Sequence, residues 1–119
     1  MSDFRVLLPL QTYSVANTRE HWLKRMRKTK IHRSAAGLLV RVAMSGPVTL
    51  PCTITITRVA PRKLDSDNLA RSQKAIRDGI ADAIGYDDGN EGITWVYKQE
   101  RGQVKEYAVL VEVEEKGVK

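Results

Sequence analysis

Between Thr49 and Thr57 the chain alternates apolar and threonine side chains. Leu50, Cys52, Ile54 and Ile56 fall on one phase; Thr49, Thr53, Thr55 and Thr57 fall on the other. Successive side chains of a strand point to opposite faces, so this run predicts a β-strand with one buried face. Pro51 belongs near its start or at a sheet edge, and Pro61 marks its far end. A few residues on, the period changes. Leu69, Ile76, Ile80 and Ala83 fall within about 60° on a helical wheel, which predicts a helix over 68–84. A strand with one apolar face, followed by a helix with one apolar stripe, requires a sheet covered by helices.

The remaining segments extend that frame. Residues 4–10 read as a first strand ending near Pro9, and Gln11 to Val15 as a loop. Asn17 is a plausible N-cap with Glu20 as its capping-box partner. A long helix is expected over about 18–44, with Trp22, Met26, Ala35, Leu38, Leu39 and Val42 as its apolar stripe and Gly37 as a point of bending. Gly46-Pro47 is a turn. Residues 93–100 form a strand with Trp95 and Tyr97 on one face, Arg101-Gly102-Gln103 a hairpin turn, and residues 107–114 a last strand. The order βαβαββ gives an α+β (mixed α/β) class: a mixed sheet packed with two helices in a single domain spanning 1–119. No apolar run approaches the ~20 residues of a membrane span, and no signal-peptide pattern opens the sequence. The single cysteine, Cys52, excludes an internal disulfide and suits a buried strand position. A reducing cytoplasm is the expected location.

Charge is distributed unevenly. Up to Lys63 there are 12 Lys/Arg and two acids (+10); from Leu64 onward there are 8 Lys/Arg and 12 acids (−4). A basic half joined to an acidic half suits a protein that grips a polyanion and holds divalent metal. Lys24, Arg25, Arg27, Lys28, Lys30 and Arg33 lie within ten residues of the long helix with no acid among them, which favours phosphate contact over a merely solvated face.

The acids concentrate in the segment 62–91. Asp65 and Asp67 are two apart; in extended backbone both point the same way and can share a hard cation such as Mg2+. Arg62 and Lys63 stand just before them. On a continuous helix Arg71 and Lys74 project on the same side as Asp67, where a lysine could steady charge on a phosphoryl group. Three ordinary alternatives compete: Asp65 as a helix cap, Lys74 and Asp78 as an i,i+4 pair, and Asp87-Asp88-Gly89 as a turn. Taken together with the basic helix, the set favours a metal site.

Asp65-Ser66-Asp67-Asn68-Leu69, the helix segment with Lys74 and the pair Asp87-Asp88 together resemble the core pattern of the RusA-type crossover junction endodeoxyribonucleases of phages and prophages. Asn17-Thr18-Arg19-Glu20-His21-Trp22 resembles an opening motif of the same family, and the likeness in order and spacing runs from about residue 4 to 114. The resemblance implies Mg2+-dependent resolution of Holliday junctions and related branched DNA by paired symmetric nicks from a homodimer, with Mn2+ as an alternative metal and no organic cofactor. It assigns Asp65, Asp67 and Asp88 as metal-binding catalytic acids, Asp87 as their support and Lys74 as the required lysine. Asn17, Arg19, His21, Lys24, Lys28, Arg62, Lys63, Asn68 and Arg71 become the expected DNA contacts. In some members the lysine stands four residues after the second acid, the position Arg71 occupies here; Glu91 is a further acid in a long loop. A straight helix over 68–84 would be about 25 Å long. Asp88 must therefore fold back to reach Asp65 and Asp67, or come from a second copy. Alternatives are a branched-DNA-binding module that does not cut, a nuclease for flaps, forks or RNA, and a partner-binding protein.

Overall fold

The computed structural model describes residues 3–12 and 22–115. In chain order its elements are β1 (Phe4–Leu8), α1 (Trp22–Ala43), β2 (Cys52–Ala60), α2 (Ser66–Ser72), α3 (Lys74–Ile84), β3 (Ile93–Arg101) and β4 (Ala108–Glu115). The architecture is α+β, as the sequence predicts, with three helices in place of two because the helix expected over 68–84 is divided at Gln73. The expected N-cap Asn17 and its partner Glu20 lie outside the described residues.

One four-stranded mixed sheet has the order β1-β4-β2-β3. β2 pairs in parallel with β3, and β4 lies antiparallel between β1 and β2. The alternating run fixes β2 in the centre: Cys52, Ile54 and Ile56 are fully buried. Val109, Val111 and Val113 of β4 continue the same core beside them. The hairpin expected at Arg101-Gly102-Gln103 does not form, since β3 and β4 are not neighbours. The chain instead passes the end of β2, where the Gly102 amide donates to the Ala60 carbonyl (2.9 Å). A short turn signal marks a reversal but carries no information about which strand lies next to which.

Helices α1 and α3 pack on each other and on the core. Their crossing is set by two glycines. A Cβ on Gly79 would sit 2.3 Å from the Arg33 carbonyl oxygen, and one on Gly37 would sit 3.2 Å from the Gly79 carbonyl. Gly37 is therefore a point of close approach within a helix that runs unbroken through it. The helix stripe is corrected in part: Leu39 packs against the core as expected, but Ala36 and Val40 are the buried residues, whereas Met26, Leu38 and Val42 are exposed. Close backbone approach brings the small residues inward and turns the larger ones out.

Candidate functional site

Gln99 of β3 holds the turn before α2. Its side-chain amide donates to the Leu64 carbonyl (2.7 Å), and its oxygen accepts from the Leu64 amide (2.8 Å). Asp65 follows as the N-cap of α2. One carboxylate oxygen accepts from the Asn68 amide (2.8 Å) and the other from Asn68 Nδ2 (3.1 Å). The capping alternative is thus realised at Asp65. Asp67 lies in the first turn of α2 and is exposed, as are Arg62, Lys63 and Arg71.

The continuous helix on which the wheel aligned Asp67 with Lys74 is divided between α2 and α3. Gln73 ends α2 and begins α3, and its own amide turns back to the Ala70 carbonyl (3.2 Å). Its side chain is fully buried, and neither Oε1 nor Nε2 has a hydrogen-bond partner. Lys74 is the first residue of α3. Its ammonium donates to Asp78 (2.8 Å), the expected i,i+4 pair, and to Asp88 (3.0 Å) fourteen residues on.

The return of Asp88 depends on the far end of α3. Gly85 caps that helix in the left-handed conformation (φ 81°), which glycine adopts without a Cβ penalty. The Tyr86 hydroxyl then donates to the Val48 carbonyl (3.0 Å). Asp87 makes the turn expected of it: its carboxylate accepts from the Gly89 amide (3.2 Å), and its carbonyl accepts from the Asn90 amide (3.0 Å). Glu91 is exposed on the same loop. The chain therefore doubles back, and Asp88 reaches the start of α3 within a single chain.

Arg77 locks that return. Its Nε donates to the Asp88 carboxylate (3.1 Å) and its NH2 to the Asp88 carbonyl (3.0 Å), while NH1 donates to the Tyr97 hydroxyl (3.0 Å). The guanidinium also lies over the Trp95 ring, 4.7 Å from its centroid, and the Trp95 indole donates to the Asp88 carbonyl (2.9 Å). Sequence reasoning placed Trp95 and Tyr97 on one face but missed Arg77. Its signal was present: it stands one turn after Lys74 and beside the apolar stripe. Trp95, Tyr97 and Gln99 alternate along one face of β3, so a single strand anchors both the Asp88 loop and the Asp65 turn.

The cluster is electrostatically compensated. Hydrogen bonds from Lys74, and the charges of Lys74 and Arg77, hold the Asp88 carboxyl below its ordinary pKa. Hydrogen bonds to Asp78 and Asp88 raise the Lys74 pKa. At neutral pH Asp88 is a carboxylate and Lys74 an ammonium. Lys74 remains more than half exposed, so its charge is accessible to an anion from solvent.

The acids supply hard oxygen donors of the type Mg2+ prefers. As placed they do not fit a cage: among the described residues no three Asp, Glu, His or Cys side chains converge on one point. Asp65 is occupied by Asn68, Asp87 by its turn and Asp88 by Lys74 and Arg77.

The expected DNA contacts divide in the same way. Asn17, Arg19 and His21 lie outside the described residues. Lys24 lies on the first turn of α1, with its side chain outside the described part, and Lys28 is half-buried on the same helix. Arg33 is paired with Asp82 of α3 through two hydrogen bonds (2.7 and 2.9 Å), so it ties the helices together and does not extend the basic face. Asn68 serves Asp65.

No family model matches the chain. A protein of Xylella fastidiosa, named only as uncharacterized, is 37% identical over 78 residues, which are 60% of this chain and 51% of that protein. The chain thus spans about half the length of that relative. No helix among the described residues is long and apolar enough to cross a membrane.

Proposed function

We propose that this chain is a structure-specific endodeoxyribonuclease similar to the RusA type, nicking four-way junctions and related branched DNA in the cytoplasm of a bacterial host. The observation that carries this reading is the return of Asp88 onto Lys74 at 3.0 Å, braced by Arg77. The two residues that the motif pairs for chemistry meet although a helix separates them. In this reading the partly exposed Lys74 ammonium takes a non-bridging oxygen of the scissile phosphate and offsets charge that builds there. Asp88 and Asp78 keep that ammonium charged and aimed. Arg77 fixes Asp88 against β3. The basic half of the chain, with Arg27 and Lys30 exposed on α1, supplies the non-specific hold on phosphates. Ile31, Leu38 and Val42 lie along one exposed side of α1 (61, 60 and 75% exposed). That apolar stripe supports a second copy as partner, consistent with paired nicks.

Mg2+ dependence comes with the resemblance, and the acids of one chain do not prefigure it. The same observation favours a second reading, a module that binds branched DNA without cutting it. Both are tested on a labelled synthetic four-way junction, with Mg2+ and with EDTA. Paired nicks that require metal support the nuclease. Tight binding with no cleavage in either condition removes that reading and leaves the module. Neither binding nor cleavage removes both.

A further inference from the structure

Arg58 occupies an unusual place for a cation. It lies on the apolar phase of the central strand, two residues beyond Ile56, and is only 7% exposed. Its Nε donates to Thr12 Oγ1 (3.2 Å) and its NH1 to the Arg62 carbonyl (2.6 Å). Among the described residues no carboxylate comes within ion-pairing distance of it, and NH2 makes no hydrogen bond. Burial accordingly lowers its pKa, although at neutral pH an arginine keeps its charge. A desolvated cation without an anion costs free energy that a bound anion would recover.

The space beside it is shaped for such an anion. A cleft of about 260 Å³ is lined by Gln11, Thr12, Arg58, Arg62, Leu64 and Tyr107, over a floor of Ala60 and Pro61. Among the described residues, its charged lining residues are both arginines. Amide, hydroxyl and phenol groups surround them, and the Tyr107 ring is partly exposed. Arginine presents donors in a fork that matches phosphate oxygens, and an exposed aromatic ring is a stacking surface for a base. The cleft also adjoins the acid turn: Arg58 is paired across the sheet with Gln99, which grips Leu64, the residue before Asp65.

We propose that the Arg58 cleft is a phosphate subsite for a nucleic-acid strand, seating one backbone phosphate between Arg58 and Arg62 and one base against Tyr107. Only the choice of a nucleic acid as ligand rests on the function proposed above. The subsite lies at the end of β2, so it holds the strand beside the acid turn and acts by positioning.

The test separates the two proposals. Inorganic phosphate, then a 5′-phosphorylated dinucleotide, are titrated in EDTA at constant ionic strength while the arginine Nε–H signals are followed by NMR. Arg58→Lys, shown folded by circular dichroism, assigns the Arg58 signal. The expected result is a saturable shift of Arg58 that exposed Arg71 does not share, tighter for the dinucleotide, with tenfold or greater weakening in Arg62→Gln. On the junction, Arg62→Gln is expected to raise KM about tenfold with kcat within twofold. If Arg58 moves no more than Arg71 with either ligand, the subsite is overturned, whether or not the protein cuts DNA. If Arg58 responds as expected but no branched DNA is cut, the subsite stands and the nuclease falls.

Discussion

Two cationic regions of this molecule meet opposite conditions. At the start of α3, Lys74 and Arg77 face Asp78 and Asp88, and every charge has an opposite within hydrogen-bonding reach. At the end of β2, Arg58 is nearly buried and, among the described residues, its hydrogen bonds go only to neutral oxygens. The first region is complete as it stands and keeps Lys74 partly in solvent. The second is incomplete until an anion arrives. A compensated cluster holds reacting groups in fixed charge states, whereas an uncompensated cation is a device for binding. If both regions serve one DNA strand, the division of labour is chemistry at Lys74 and grip at Arg58.

The strongest way to break that division is to remove the lysine. Lys74→Met should lower junction cleavage by about 100-fold or more, the scale set by losing one charge-stabilising group. Junction affinity, measured by gel shift, should change little because Arg58 and the basic helix remain. Equal loss of binding and cleavage would collapse the two roles into one.

The next test concerns the scaffold that places α3. Gly79→Ala forces a Cβ into the Arg33 carbonyl, where only 2.3 Å is available. Overpacking of this kind costs about 1–3 kcal/mol. Urea denaturation should show that loss, and activity per folded molecule should fall as α3 shifts on α1. Unchanged stability would mean that the helix crossing relaxes freely and does not fix Lys74.

A smaller effect of opposite sign is expected beside the cluster. The buried Gln73 amide lacks partners, and an unsatisfied buried polar group costs about 1–3 kcal/mol. Gln73→Met keeps the length of the side chain and removes the polar atoms. It should stabilise the fold by about 1 kcal/mol in the same denaturation experiment. A loss of stability would indicate that the amide is satisfied in solution.

The smallest effect is the acid limb of stability. The folded pKa of Asp88 lies below its ordinary value of 3.8, so its contribution is fully present above that value and is lost as pH falls through the folded one. Stability measured from pH 6 downward should therefore drop less steeply below about pH 4 in Asp88→Asn than in the native chain. Arg58 stays charged over this range and adds no such limb, which sharpens the contrast between the two regions. Parallel curves would show that Asp88 is not held by Lys74 and Arg77 in solution.

Much of this was legible in the chain. The threonine alternation fixed β2 and its buried face, since a two-residue period has one structural solution. The valine alternation did the same for β4. Leu69, Ile76 and Ile80 were correctly assigned to the core because a helical stripe reports burial even where the helix is divided. The division itself was not legible. Gln73 is an ordinary helix former, and nothing local to it announces that one helix ends there and another begins. The α1 stripe was misplaced for a related reason: small residues at a glycine crossing outrank larger ones that point away from it.

The sequence alone determined the α+β class, the central strand, the core phase of the helical run over 68–84 and the set of residues that resembles a junction nuclease. Only the tertiary structure decided that Asp88 comes back to Lys74 in one chain, that Arg77 secures it, and that Arg58 opens on a cleft with no carboxylate among its described lining residues. Periodicity reports which face of an element is buried. Charge compensation depends on which elements become neighbours, and that is settled by a helix break, a left-handed glycine and a strand order that no local spacing encodes.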